Sequence, residues 1–468
     1  MRKHLTAFIL LLTALPLSAQ KPDLTKPPVS REPRPYKLPP VTESRLPNGL
    51  TVMLVDDARF PLVTARLVFF AGNKRDPQDI PGLAASVATM LLQGTSRRTY
   101  QQMAQELDSL GGTLTAGTGA DSLTVETSVL AENAEKMLAL MSDVSRNAVF
   151  PTTELDLHKQ NRKQTLNVQH AQPAFLANEE FRKVVFGDTP YAHVGPTAEA
   201  IDKLDRKGLQ DFRDTYLVPN NAILILVGKL PARAQLQKTI TAEFGSWEQK
   251  KVPPYTAPAT PAPKREIVLV DRPGSVQADM RLGKIAGTWS DPAYFPENVG
   301  SLIEGGGPNS RLFLDIREKR GYAYDVHTEL GALADSATLT VVTQVRNEVA
   351  ADALQGILEH LDRMSKEPVQ ADELREAKTY ADGVFLLGME PQRGLADQLV
   401  KMKVMNLPKN YLETYTTKIN SVEPDQIENA AKKFMATEDD TIVVVGDAAA
   451  IQKSFEKFGT VQVVKPTQ

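Results

Sequence analysis

Few side chains in this sequence could hold a metal ion or move a proton. Beyond the first residues the histidines are His158, His170, His193, His327 and His360. A zinc-peptidase helix needs two histidines four apart with a glutamate between them, so that both rings face one ion. None of these histidines has a histidine at i+4, and none sits in a His-Glu cluster. His158 and His170 share a predicted helix but lie ~18 Å apart along its axis. All five are expected in solvated or capping roles. There is no cysteine, which removes a thiolate nucleophile, a disulfide framework and a lipid-anchored cysteine. There is no Gly-x-Ser-x-Gly elbow for a serine nucleophile. Gly305-Gly306-Gly307-Pro308 lacks the Gly-Lys-Ser/Thr that would make it a phosphate loop. It reads as a tight turn feeding a helix over residues 311–320, capped by Asn309 or Ser310 and ended by Gly321.

Residues 82–95 read Gly-Leu-Ala-Ala-Ser-Val-Ala-Thr-Met-Leu-Leu-Gln-Gly-Thr. This frame resembles the zinc helix of the insulinase, pitrilysin and mitochondrial processing peptidase family. That helix runs Gly-Leu-Ala-His-x-x-Glu-His-Met. Ala85 and Thr89 stand at the two histidine positions, and Ala88 stands at the catalytic glutamate. The family's third ligand is a glutamate some seventy-odd residues on; here Thr165 is the best match, with Gln164 next. Methyl groups and lone hydroxyls cannot hold zinc or deprotonate its water. The resemblance therefore implies a degenerate metal site at Ala85, Ala88, Thr89 and Thr165, with no metal bound and no catalytic residue of its own. Further matches are Leu46-Pro-Asn-Gly-Leu-Thr-Val52, Phe186-Gly-Asp-Thr-Pro-Tyr191, Gly195-Pro-Thr-Ala-Glu-Ala-Ile201 and Tyr216-Leu-Val-Pro-Asn-Asn-Ala222. Together they cover most of the chain.

The second half keeps another family feature. Arg317 and Tyr324, seven apart in Leu-x-x-x-Ile-Arg-x-x-x-Gly-x-x-Tyr, resemble the family's arginine–tyrosine pair. In the family that pair holds the substrate backbone opposite the zinc helix and helps stabilise the developing oxyanion. A guanidinium fork and a phenol can both donate to a carbonyl oxygen that gains charge. The competing reading is a helix salt bridge for Arg317 and sheet packing for Tyr324.

The elements that must carry these residues repeat. Val63–Gly72 matches Val276–Gly287, Ala120–Thr127 matches Ala334–Thr343, and Ala222–Gly228 matches Thr441–Gly446. From Gly72 to Ala120 is 48 positions and from Gly287 to Ala334 is 47; Gly72 to Gly228 is 156 and Gly287 to Gly446 is 159. Three matches in order at near-equal spacing mark an internal repeat. Residues 50–55, 62–70 and 122–129 read as strands. Thr99-Tyr-Gln-Gln opens a helix with a capping box, and Gly111-Gly112 closes it. Further helices are predicted over 132–148, 152–170, 174–186 and 206–216. The fold class is α+β. The resemblance implies two homologous peptidase-like domains, each an antiparallel-rich sheet with helices packed on one side.

Residues 1–19 read as a secretory signal peptide: Arg2, Lys3 and His4, then an apolar run from Phe8, then a cleavage site at Leu17-Ser18-Ala19. Residues 20–43 are an extended, proline-rich segment outside the core. Residues 44–250 form the N-terminal domain and 265–462 the C-terminal domain. Between them, 251–264 is a linker, with five prolines from Pro253 to Pro263. The 468 residues, 42% hydrophobic and 24% charged, support a large core. A net charge of −3 gives no footprint for nucleic acid and no general attraction to anionic lipid. No later run reaches the ~18 apolar residues of a membrane helix. A signal without cysteines fits the periplasm of a Gram-negative bacterium, or secretion.

The function expected is a noncatalytic subunit of a two-chain zinc peptidase. A paralogous partner would carry the zinc and complete a heterodimer, and this chain would close the chamber and contact peptide substrate through Arg317 and Tyr324. The alternative is a structural or peptide-binding scaffold with no proteolytic role. An independent hydrolase with a different site is the weakest reading, since neither a nucleophile elbow nor a cysteine is present.

Overall fold

The first of two sheets contains β1 (Val41–Arg45), β2 (Thr51–Asp56), β3 (Leu62–Phe69), β4 (Thr113–Thr118), β5 (Leu123–Leu130) and β6 (Ala222–Gly228). Its order is β1-β2-β6-β3-β5-β4. The second contains β7 (Glu266–Asp271), β8 (Gln277–Ile285), β9 (Ala323–Ala332), β10 (Ala337–Arg346), β11 (Thr441–Gly446) and β12 (Val461–Val464), in the order β12-β7-β11-β8-β10-β9. Five strands correspond one for one, and the three sequence repeats fall on β3/β8, β5/β10 and β6/β11. The edges break the symmetry. Antiparallel β1 arrives from upstream, whereas β12 lies parallel on β7 from the C-terminal end. This computed structural model describes residues 37–466. The signal-peptide reading for 1–19 lies outside the described residues.

The first half carries α1 (Leu83–Met90), α2 (Tyr100–Leu110), α3 (Ala134–Asn147), α4 (Thr152–His170), α5 (Pro173–Phe186), α6 (Ala198–Lys203), α7 (Arg206–Tyr216) and α8 (Arg233–Phe244). Local chemistry sets their ends. The Thr99 hydroxyl accepts from Gln102 N at 3.2 Å while Gln102 Oε1 accepts from Thr99 N at 2.9 Å, and Gly111 closes α2 at φ 58°. The second half carries α9 (Tyr294–Gly305), a π-helix (Phe313–Lys319), then α10 (Ala350–Met364), α11 (Ala371–Met389), α12 (Gln392–Val404), α13 (Tyr411–Asn420), α14 (Pro424–Phe434) and α15 (Ala448–Phe455). Among the described residues no helix is long and apolar enough to cross a membrane.

Each half packs its own helices on one sheet face. In the first, Leu67, Phe69 and Val125 meet Val87 of α1 and Met141 of α3. The other face is covered by the opposite half. Phe385, Leu395, Leu399 and Met402 of α11 and α12 lie on Met53, Val55, Ile223 and Ile225. Reciprocally, Leu176, Phe181 and Val185 of α5 lie on Val268, Val270, Val443 and Val445. This exchange explains why β6 and β11 are buried along their whole length. Each fully buried leucine in it contributes roughly 1.5–3 kcal/mol.

Polar contacts also join the halves. Arg66, 3% exposed, pairs with Glu126 and with Asp397 of α12, both at 3.1 Å. Lys74 lies 2.9 Å from both Asp121 and Asp335. The proline-rich stretch from 247 to 265 has no regular structure but is held to the first half. Arg75 donates to Pro253 O at 3.0 Å and lies over the Tyr255 ring. Leu38 and Val41 pack half-buried on the shared core. The end of the segment expected to stay outside the core therefore joins the fold, because β1 pairs antiparallel with β2 at the sheet edge.

Candidate functional site

Helix α1 starts at Gly82, whose φ of 90° favours glycine and where a Cβ would come 2.9 Å from Pro196. The Asp76 carboxylate accepts from Gly82 N and Ala84 N, both at 2.7 Å, and so caps the helix from outside. Burial pushes the Asp76 carboxyl up to about 7 against these hydrogen bonds. Leu83, Ala84, Val87 and Met90 point into the core and fix the rotation of α1.

That rotation leaves Ala85 half-buried and Thr89 exposed, while Ala88 is 1% exposed among core side chains. The Thr89 hydroxyl donates to Ala85 O at 3.1 Å, and the Thr165 hydroxyl on α4 donates to Asn161 O at 2.9 Å. Both hydroxyls are thus committed to their own helices. Two methyls and two back-bonded hydroxyls do not fit zinc, which takes imidazole, thiolate or carboxylate. Among the described residues no group of three or more His, Asp or Glu could hold a metal ion.

A cavity of ≈240 Å³ opens beside α1. Ala85, Asp76, Arg162 of α4, Asp188, His193 and Pro196 are among its walls. Arg162, half-buried, makes no hydrogen bond or ion pair with any described residue. One turn earlier, His158 is 9% exposed and its Nε2 is buried without a partner. Burial, and then the Arg162 charge, push its pKa down to about 4. The solvated role expected for His158 is overturned: Leu155, three residues before it, belongs to the buried face of α4.

In the second half the π-helix carries Arg317 and β9 carries Tyr324. Ile316, fully buried, anchors the helix, and Arg320 N donates to Asp315 O at 2.9 Å in the wide π pattern. Gly321, at φ 64°, turns the chain into β9. The Arg317 guanidinium then lies 4.4 Å from the Phe313 ring centre and 5.1 Å from that of Tyr324. It also lies 3.4 Å from Glu318, an exposed pair of little energetic weight. Tyr324 is 85% exposed, and its hydroxyl has no hydrogen-bond partner among the described residues. The structure brings this pair together, with the tyrosine exposed and the arginine half-buried. Chemically, the pair can donate to one peptide carbonyl.

Sequence reasoning missed a buried cluster beneath that π-helix. His360 is 7% exposed, with Nε2 3.0 Å from Asp315 and Nδ1 3.8 Å from Glu304. Burial holds His360 below the usual imidazole range and pushes the fully buried Glu304 up to about 7. The 3.8 Å contact to Glu304 is too long for a hydrogen bond. The expected solvated role for His360 fails because it lies in the apolar stripe of α10 with Ile357, Leu361 and Met364. That 3.6-residue periodicity was a readable signal.

Two family models match this geometry in order along the chain. Residues 51–193 match the insulinase family, peptidase family M16, and residues 203–380 match the peptidase M16 inactive domain. An uncharacterized zinc protease of Rickettsia bellii is 26% identical over 372 residues, covering 79% of this chain and 86% of that one. The uncharacterized zinc protease YmxG of Bacillus subtilis is 21% identical over 402 residues, covering 85% and 96%. Among solved structures, a peptidase M16 inactive domain from Pseudomonas fluorescens aligns with a TM-score of 0.81 at 24% identity, over 92% of this chain and 100% of that one. A protease from Helicobacter pylori aligns at 0.80 and 18% identity, over 87% and 100%.

Proposed function

This chain belongs to the M16, or insulinase, peptidase family, and from that premise we propose that it is the noncatalytic subunit of a two-chain zinc peptidase. The carrying observation is a contrast within one polypeptide. The zinc-helix positions hold methyls and committed hydroxyls, while Arg317 and an exposed Tyr324 stand together, Arg317 ion-paired among the described residues only with the exposed Glu318. A paralogous partner supplies the zinc and its activated water, and the two chains form a heterodimer around a chamber. This chain closes the chamber and offers Arg317 and Tyr324 to the peptide carbonyl as charge develops on it. The complex works in the periplasm or outside the cell, after removal of residues 1–19.

Mixing the chain with a zinc-bearing paralogue and following peptide cleavage tests this reading. Turnover by the mixture above that of the paralogue alone supports it; no change counts against it. A second reading, a peptide-binding scaffold with no proteolytic role, is favoured by the packing of Arg317 on Phe313. Under it the mixture gains no activity while a peptide still binds.

A further inference from the structure

We propose that the pocket beside the degenerate zinc helix is a carboxylate-binding site, with the Arg162 guanidinium as its anchor and a carboxylate of a bound peptide as its occupant. The pocket is a formed cavity of ≈240 Å³, whereas one water needs roughly 10–15 Å³ of such space. Its walls join the two elements whose side chains would have met at a metal. Ala85 comes from α1, and Arg162 from α4 lies one turn before Thr165.

Arg162 is the unusual member. Other buried or half-buried arginines have partners at short range: Arg66 has Asp397 at 3.1 Å, Arg98 has Asp143 at 2.8 Å and Arg311 has Glu373 at 2.8 Å, while Arg182 and Arg146 donate to the Tyr191 and Glu243 carbonyls. Arg162 has none among the described residues, and burial alone lowers its pKa. A guanidinium stays charged under such a shift, so the desolvated charge stands uncompensated. An entering anion would compensate it. His158, one turn away, is not in the pocket wall, and its buried Nε2 offers Arg162 no counter-charge.

The walls select the anion. Asp76, although in the wall, is not paired with Arg162, and its oxygens accept from the start of α1. Asp188 sits exposed at the rim. The two acids in the wall repel a dianion such as phosphate more strongly than a single negative charge. The planar fork of arginine matches a carboxylate with two parallel hydrogen bonds. A positive centre thus stands beside Ala85, one of the degenerate metal-site positions, but it can only bind. This inference concerns the isolated chain, so its failure leaves the partner-subunit reading untouched.

The test uses the full chain and a fluorescein-labelled decapeptide of alternating alanine and glycine, read by anisotropy. The free acid should bind about tenfold more tightly than the C-terminal amide. Arg162→Met should abolish that difference without lowering the melting temperature, since it removes an uncompensated charge. Ala85→Leu, which fills the cavity and leaves the charge, should weaken the free acid as well. An amidated peptide with one internal glutamate separates the sources: binding like the free acid assigns side-chain carboxylates, binding like the plain amide assigns the chain terminus. Equal binding of acid and amide to the wild type, an acid preference that survives in Arg162→Met, or displacement by inorganic phosphate better than by acetate would each overturn the proposal.

Discussion

The Arg317 guanidinium lies over the Tyr324 ring, 5.1 Å from its centre, and so holds the exposed phenol beside the charge. The contact ties a π-helix to the strand that follows it. A pair built only for packing would not leave a tyrosine 85% exposed with a free hydroxyl.

Substitution of the pair should therefore act on turnover and not on folding. With the zinc-bearing partner present, Arg317→Ala and Tyr324→Phe should each lower kcat about a hundredfold, the lower end of the range for donors to a developing oxyanion. Melting of the isolated chain should be unchanged within about 0.5 kcal/mol. Initial rates at saturating peptide measure the first, and denaturant unfolding the second. Unchanged turnover in both variants removes the pair from the mechanism.

Returning the glutamate to the zinc helix alone should damage the fold. Ala88 is 1% exposed in the core, so Ala88→Glu buries a carboxylate with no partner and should cost about 3 kcal/mol. Thr89→Ala, on the exposed side of the same helix, should be neutral. Guanidinium unfolding of both variants gives the comparison, and equal stability would mean that α1 can rotate away from the observed packing.

The two halves should loosen when their polar pin is cut. The Tyr191 hydroxyl donates to Asp121 at 2.7 Å and lies 3.0 Å from Asp335 of the second half. Tyr191→Phe should cost about 1–3 kcal/mol, because it leaves the buried Asp121 carboxylate short of a donor. Asp335→Ala should expose the same junction to proteolysis. A variant as stable and as resistant as wild type would show that the α5 and α12 exchange alone holds the halves.

Glu304 should make stability fall as pH rises. Below about 4.5 its carboxyl is protonated in both states; between 4.5 and about 7 the unfolded chain releases the proton while the folded chain keeps it. Stability present below that window is lost across it, by about 3 kcal/mol if the group acts alone. Glu304→Gln should flatten this part of the profile and be the more stable protein at pH 8. Unfolding free energies at pH 4.5, 6 and 8 test it, and parallel profiles for the two proteins would contradict it.

Much of this was legible in the residues. The repeat placed β3 with β8, β5 with β10 and β6 with β11, because apolar runs at equal spacing are local information. Thr99 and Gly111 marked the ends of α2 through cap chemistry that depends on adjacent residues only. The exchange of α5 and α12 between sheets was not read, since it is a long-range contact, although unbroken apolar runs such as Ala222–Gly228 hinted at two covered faces. The π-helix was read as an ordinary helix because the shift of one hydrogen-bond partner leaves no compositional mark. Arg162 went unnoticed for another reason: the frame directed the search to Thr165, and an arginine one turn earlier on a polar helix resembles any solvated residue.

The central claim is that this polypeptide cannot hold zinc and activate water by itself. Its most direct test is the metal content of the purified chain, measured alongside peptide hydrolysis with and without chelator. The account predicts no stoichiometric zinc and no chelator-sensitive cleavage. One zinc per chain, with hydrolysis that a chelator abolishes, would contradict it.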